Sequence, residues 1–297
     1  MIAIGLPVDL NPVNWLAGVV QAFTANVLPV ALRAAGALLF QSPDLTRVPE
    51  IQGITRTMLA IADSLLTLFL LYGAFRVITA GGEDDRYALK SVLSRAIAAA
   101  VMANMSLLIC STLTDLDNGL VLGILGPNPG QSGWSGITTQ IQTANLLGGI
   151  VDSLVALAAG ILVLALAVIY VARDLLLVVL TVVAPLALMA HAVPELEDLT
   201  RTWWRAYLVT LFMQVLHAVL ILVGADLMVH PDWLGTSTSA VISGLVIIAL
   251  FYVMIRMPFF LYRVGFGHPV SQNPVTRRAV TVAKNAATAA KAVAAAL

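Results

Sequence analysis

Apolar residues fall in long blocks along this chain, separated by short polar punctuation. Residues 54–79, 92–113, 147–171, 204–228 and 238–261 are each apolar over about the 20 residues that an α-helix needs to cross a ~30 Å hydrocarbon core. Gly81-Gly82 and the acidic run Glu83, Asp84, Asp85 part the first two blocks. Residues 114–146 hold Gly, Pro, Asn and Gln but no Lys or Arg, and read as the longest connection. Residues 13–40 are weaker, with Gln21, Asn26, Pro29 and Arg33 spread through them. They read as an amphipathic segment in the membrane interface or packed on the bundle, with a kinked extra span as the alternative. Residues 41–53 form a polar linker, and residues 265–276 break the last helix before an alanine-rich, helix-prone tail.

Composition turns this pattern into a fold class. The 297 residues are 60% hydrophobic and only 11% charged, against about 25% charged in ordinary soluble domains. Mean hydropathy is +0.94. The expectation is an all-α polytopic membrane protein. It divides into an N-terminal segment and linker (1–53), a membrane domain (54–262) and a basic helical tail (263–297). No cleavable signal peptide is expected, because Met1 is not followed by a basic region and Asp9, Asn11 and Pro12 interrupt the first apolar residues. Cys110 is the single cysteine, so no intrachain disulfide can form.

The stretch from 170 to 215 fixes the topology. Arg173-Asp174 precedes 18 uncharged residues, 175–192, with Pro185 inside; Pro194 opens an acidic turn, and Trp203-Trp204 open the next block. Lys and Arg concentrate on the cytoplasmic side of membrane proteins. Arg76, Arg86, Lys90 and Arg95 put the first short loop inside; the loops 114–146 and 230–237, free of Lys and Arg, belong outside. These assignments agree only if 175–192 does not cross. It is then a re-entrant or broken membrane segment, or an inward extension of the third helix. On that plan 13 of the 16 Lys and Arg lie inside or at the inner face, and only Arg33, Arg47 and Arg56 lie outside. The result is five spans plus one re-entrant or broken segment, the amino terminus outside and the carboxyl terminus cytoplasmic.

Enzyme chemistry finds little support. There is no GxxxxGK[ST], no HExxH and no Cys/His set with metal spacing, so neither a catalytic residue nor a cofactor or metal is expected. Polar residues within spans carry the candidates. Asp63 sits nine residues into the first span, where an ionisable group costs roughly 2.5–3.5 kcal/mol and normally faces a bundle interior or water. Gln214 and His217 lie three apart on one helical face and serve either helix packing or a hydrated path. With Arg173, Pro185, Pro194 and Trp204 they make up the candidate channel or subunit-contact set. Arg277, Lys284 and Lys291 recur every seven residues in the tail and share a face suited to lipid head groups or a cytoplasmic partner.

Arg173, the mid-segment Ala184-Pro185, Pro194 and the pair Trp203-Trp204 resemble the TrbL-type channel component of type IV secretion and conjugation systems. The resemblance is densest over 170–215 and extends in topology over 50–262. It implies a non-enzymatic inner-membrane subunit, present in several copies, that forms part of a DNA and protein translocation channel and supports pilus assembly. It also implies partner ATPases, pilin, an inner-membrane scaffold and, transiently, single-stranded DNA. The alternative from a different class is a small-solute or ion transporter with a broken-helix site.

Overall fold

The computed structural model of the chain describes residues 18, 22–80, 85–128, 134–146, 150–229 and 240–266. Among these, every regular element is helical. A π-helical turn, Phe23–Val27, leads into α1 (Leu28–Phe40). A 3-10 turn, Leu45–Arg47, precedes α2 (Pro49–Ala80). Then come α3 (Asp85–Asn104), α4 (Ser106–Leu125), α5 (Trp134–Leu146) and α6 (Ile150–Met189). Two 3-10 turns, Ala190–Ala192 and Pro194–Leu196, separate α6 from α7 (Glu197–Val229), and α8 spans Ala240–Phe266. Among the described residues, five stretches are long and apolar enough to cross a membrane: Pro49–Phe75, Ser106–Leu125, Leu154–Ala192, Pro194–Leu227 and Gly244–Gly265. Bilayer physics favours this outcome, because a helix satisfies its backbone groups internally where no water reaches them.

Two boundaries differ from the sequence reading. The second apolar block, 92–113, straddles α3 and α4, which meet at Met105 with backbone hydrogen bonds on both sides of it (Met105 N to Val101 O and Ile109 N to Met105 O, both 2.9 Å). The 20-residue apolar window is Ser106–Leu125. The described part of 114–146 is therefore mostly helix rather than loop: it holds the second half of α4 and all of α5. Average polarity misleads here because several polar residues of α4, Ser106, Thr114 and Asp117 among them, face inward. Cys110, Thr114, Asp117, Val121 and Leu125 recur at helical spacing and are all buried. Gly126, with φ 80, lets the chain leave α4 in a left-handed conformation that costs glycine nothing.

The segment 175–192 resolves between its alternatives. Residues 175–189 continue α6 without interruption, so the segment is an extension of the preceding helix, and the break lies in the 3-10 turns that follow. Pro185 sits buried within α6, where it supplies no amide for the helix ladder. Side chains from the start of α7 bond carbonyls around it: Trp203 Nε1 donates to Leu180 O at 2.9 Å, and Thr200 Oγ1 donates to Ala187 O at 2.7 Å.

The chain packs as two compact units. The first comprises residues 1–47, 110–179 and 208–261. Its core holds Leu32, Leu166, Tyr170, Phe251 and Met254, with Trp134 edge-on to Phe251 at 6.2 Å. α1 presents Leu28, Ala31, Leu32, Ala35 and Leu39 to this core at three- and four-residue spacing, so the described part of 13–40 packs on the bundle. The second unit comprises residues 48–109, 180–207 and 262–297. A seam of small residues, Ala62, Ala99, Ala103 and Ala192, closes around Met189. Small side chains suit helix contacts in a bilayer, where association relies on close packing rather than on exclusion of water.

Close approach is also visible at Gly160 of α6, where an added Cβ would lie 2.6 Å from Phe23 Cε1 and 3.2 Å from Leu28 Cδ1. Gly160→Val is expected to destabilise the protein by about 1–3 kcal/mol through overpacking. Gly123 of α4 has nothing within 4 Å of such a Cβ. Gly123→Ala should hold or raise stability, since alanine is the better helix former. Thermal unfolding of the two variants in detergent checks this; equal melting points would refute the packing argument.

Candidate functional site

The first unit encloses a polar cluster centred on Arg173 of α6. Apart from Asp174 the surrounding sequence is apolar, so the guanidinium finds its other partners on other elements. Its side chain is 2% exposed. Nε donates to Thr210 O at 3.0 Å and Nη2 to Leu211 O at 3.2 Å, both carbonyls of α7. Nη2 also donates to Ser42 Oγ at 2.8 Å, in the connection after α1. Nη1 pairs with Asp174 Oδ1 at 3.1 Å. Asp117 Oδ2, from α4, lies 3.5 Å from Nη2. A planar fork of five donors is what such a spread of acceptors requires, and lysine could not satisfy it.

Ser42 is the second hub. Its backbone is clamped by Asn118, which accepts from Ser42 N at 2.9 Å and donates to Ser42 O at 3.1 Å. Its hydroxyl lies 3.2 Å from Asp117 Oδ2 and 2.5 Å from the side-chain oxygen of Gln214. Ser42, Asp117 and Gln214 are all buried. Two atoms of this group, Asp117 Oδ1 and Gln214 Nε2, have no hydrogen-bond partner among the described residues.

One turn further along α7, His217 joins α6 to α8. Its Nε2 is 2.9 Å from Met254 O and its Nδ1 is 2.5 Å from Tyr170 Oη. A carbonyl only accepts, so Nε2 carries the hydrogen; in the neutral imidazole Nδ1 accepts from the tyrosine hydroxyl. Both ring nitrogens are satisfied with the imidazole neutral. Tyr170 and His217 are fully buried. The Arg173 guanidinium lies 5.7 Å from the centre of the Tyr170 ring, which links the two halves of the cluster.

Three sequence-predicted residues thus come together: Arg173, Gln214 and His217. The others lie elsewhere. Asp63 is exposed on α2, at the edge of the face that carries the buried Thr55 and Ala62 and the half-buried Leu59, Leu66 and Phe69. Pro185 is buried in α6 and Pro194 is exposed at the second 3-10 turn. Trp204 is half-buried; the buried indole is Trp203, stacked on Tyr207 at 5.2 Å. Arg277, Lys284 and Lys291 lie outside the described residues. Ser42, Asp117, Asn118, Tyr170 and Asp174 were not among the site candidates read from the sequence. The usable signal for Asp117 was the helical run of Leu116, Leu120, Val121 and Ile124 around it.

Chemically, the cluster is a buried set of donors and acceptors that ties the connection after α1 to α4, α6, α7 and α8. A separate cleft of about 610 Å³, lined by Leu32, Arg33, Phe40 and Trp134 among others, contains none of these groups. Against known proteins, the family model described as TrbL/VirB6 plasmid conjugal transfer like protein matches residues 13–297. No curated protein and no solved structure matches the chain.

Proposed function

Because the chain belongs to the TrbL/VirB6 plasmid conjugal transfer like family over residues 13–297, we propose that it is a non-enzymatic inner-membrane subunit of a type IV secretion machine. In this reading it forms part of the channel that passes DNA and protein, and it supports pilus assembly. The family match is the observation that carries the reading; five apolar helices of membrane-crossing length support it. The buried Arg173 cluster acts as a fastening within one wall of the channel, since its groups face each other rather than solvent.

The outward face of α2 is the proposed surface toward other copies, other subunits or lipid. Leu68, Leu71, Phe75 and Ile78 are exposed there, and so is Asp63. A carboxylate at membrane depth is costly against hydrocarbon, so Asp63 belongs against a neighbouring subunit or the aqueous path. Pro185, Pro194, Trp203 and Trp204 shape the turn between α6 and α7, which is the proposed cytoplasmic contact. The amino terminus is placed outside and the carboxyl terminus in the cytoplasm by charge bias. The basic tail then meets lipid head groups or partner ATPases. Single-stranded DNA is a transient ligand of the assembled machine. The transporter reading needed a broken helix at 175–192; α6 runs on through Pro185, which removes its main support.

Loss of the chain from a donor cell carrying the rest of the secretion genes is expected to abolish DNA transfer to recipients, and the intact chain supplied in trans should restore it. Undiminished transfer without the chain would refute the assignment. Single cysteines at Leu199 and Ser132 on a Cys110→Ala background should react with an impermeant thiol reagent only from inside and only from outside, respectively. Outside labelling at Leu199 would reject the proposed orientation.

A further inference from the structure

A groove runs along one stripe of α1 in the first unit. Pro29, Leu32, Arg33, Gly36, Ala37 and Phe40 recur at three- and four-residue spacing, which places them on one side of the helix. Trp134 and Thr138, one turn apart at the start of α5, form the opposite wall. Between them lies the cleft of about 610 Å³. From Pro29 to Phe40 the helix advances roughly 17 Å. The hydrocarbon of one leaflet, half of a ~30 Å core, has nearly the same depth.

Two donors in this groove lack an acceptor. Arg33 is exposed on an apolar helical stretch, Ala25–Phe40, that is too short to cross a membrane. Its Nε donates to Pro29 O, one turn back, at 3.1 Å. Nη1 and Nη2 have no partner among the described residues. Asp44, Asp117 and Asp174, acidic groups of the same unit, pair with Arg47 and Arg173 instead. The second donor is Trp134 Nε1. The indole is 6% exposed and packs edge-on against Phe40 at 5.9 Å and Phe251 at 6.2 Å. Its N–H makes no hydrogen bond among the described residues. Nε1 lies against Gly36, where an added Cβ would stand 2.8 Å from it. The missing side chain leaves room beside that N–H. A buried indole N–H ordinarily finds a partner.

We propose that the groove binds an anionic phospholipid. Arg33 Nη1 and Nη2 hold the phosphate, because a guanidinium fork matches two phosphate oxygens. Gly36 and the indole N–H beside it lie one turn further along α1, roughly 5 Å from Arg33. An ester carbonyl follows the phosphate of a phospholipid by about such a step, and Trp134 Nε1 donates to it. One acyl chain then lies along Ala37 and Phe40, on walls without charge. Arg33 is the only charged residue among the described lining residues, so a headgroup without a cation of its own fits best. A free phosphate, or the phosphate of a nucleic acid, would satisfy the guanidinium but leave the apolar walls uncovered. The bound lipid joins α1 to α5. The inference does not depend on the secretion role.

Native mass spectrometry of the full chain in detergent, titrated with phosphatidylglycerol, is expected to show one tightly held lipid per chain. Arg33→Gln removes an exposed side chain that pairs with no carboxylate, so the variant should fold and bind this lipid about tenfold more weakly, the loss of a charge-assisted hydrogen bond. Ala37→Trp, also at an exposed position, fills the groove without touching the charge and should weaken binding as well. Arg56→Gln, which removes an exposed cation from α2, should bind as the wild type does. Phosphatidylcholine should be held far more weakly, and excess inorganic phosphate or a short single-stranded oligonucleotide should not displace phosphatidylglycerol. Undiminished binding by Arg33→Gln or Ala37→Trp would overturn the proposal. Equal retention of phosphatidylcholine would do the same by showing general solvation by lipid. Displacement by phosphate or by the oligonucleotide would replace the lipid site with a free-anion or a nucleic-acid site, respectively.

Discussion

Arg173→Leu is expected to cost about 3–5 kcal/mol of stability, the range seen when one partner of a buried ion pair is removed. The side chain of Arg173 is 2% exposed and serves the Thr210 and Leu211 carbonyls, Ser42 Oγ and Asp174 at once. Leucine fills most of the volume but donates nothing, and Asp174 keeps its charge without a partner. A loss of that size should lower the melting temperature by roughly 10 °C. Arg173→Lys keeps the charge but not the fork, and should fall between the two. Adding Asp174→Asn to Arg173→Leu should recover part of the loss, because the stranded carboxylate is then gone. Thermal unfolding in detergent measures all four proteins. A melting temperature for Arg173→Leu indistinguishable from the wild type would show that the cluster does not hold the first unit together.

His217→Leu is expected to cost about 2–4 kcal/mol, since it strands the Tyr170 hydroxyl and the Met254 carbonyl where no water replaces the lost partner. Both groups now bond the imidazole, at 2.5 and 2.9 Å. Tyr170→Phe deletes one donor and leaves only Nδ1 unpaired, so it should cost less. Combining the two changes should cost less than their sum, because each breaks the bond that the other also breaks. Additive losses would mean that Tyr170 and His217 act on stability independently, contrary to the geometry.

The spans and three members of the cluster were legible along the chain because their physics is local. A run of about 20 apolar residues is committed to helix by the bilayer alone. A guanidinium, an amide and an imidazole inside such runs advertise themselves, since each must find a partner. Asp117 and Ser42 did not, for the same reason in reverse. They lie in stretches whose average polarity suggests loop and linker, and their partner Arg173 is 56 and 131 residues away. Which face of α4 turns inward, and that it carries the aspartate, follows from packing against distant helices. Asp63 is the converse case. Its depth was readable, but its outward direction depends on which face of α2 meets the alanine seam.

By itself, then, the sequence determined an all-helical membrane protein with membrane-crossing helices and an arginine, a glutamine and a histidine that needed partners. Only the tertiary structure decided that residues 175–189 extend α6, that α4 runs past residue 113, and that a serine, two aspartates and a tyrosine answer those three residues. The division has one cause. The free energy of placing a segment in a bilayer is summed along the segment, whereas the partner of a buried polar group is set by which helices pack side by side.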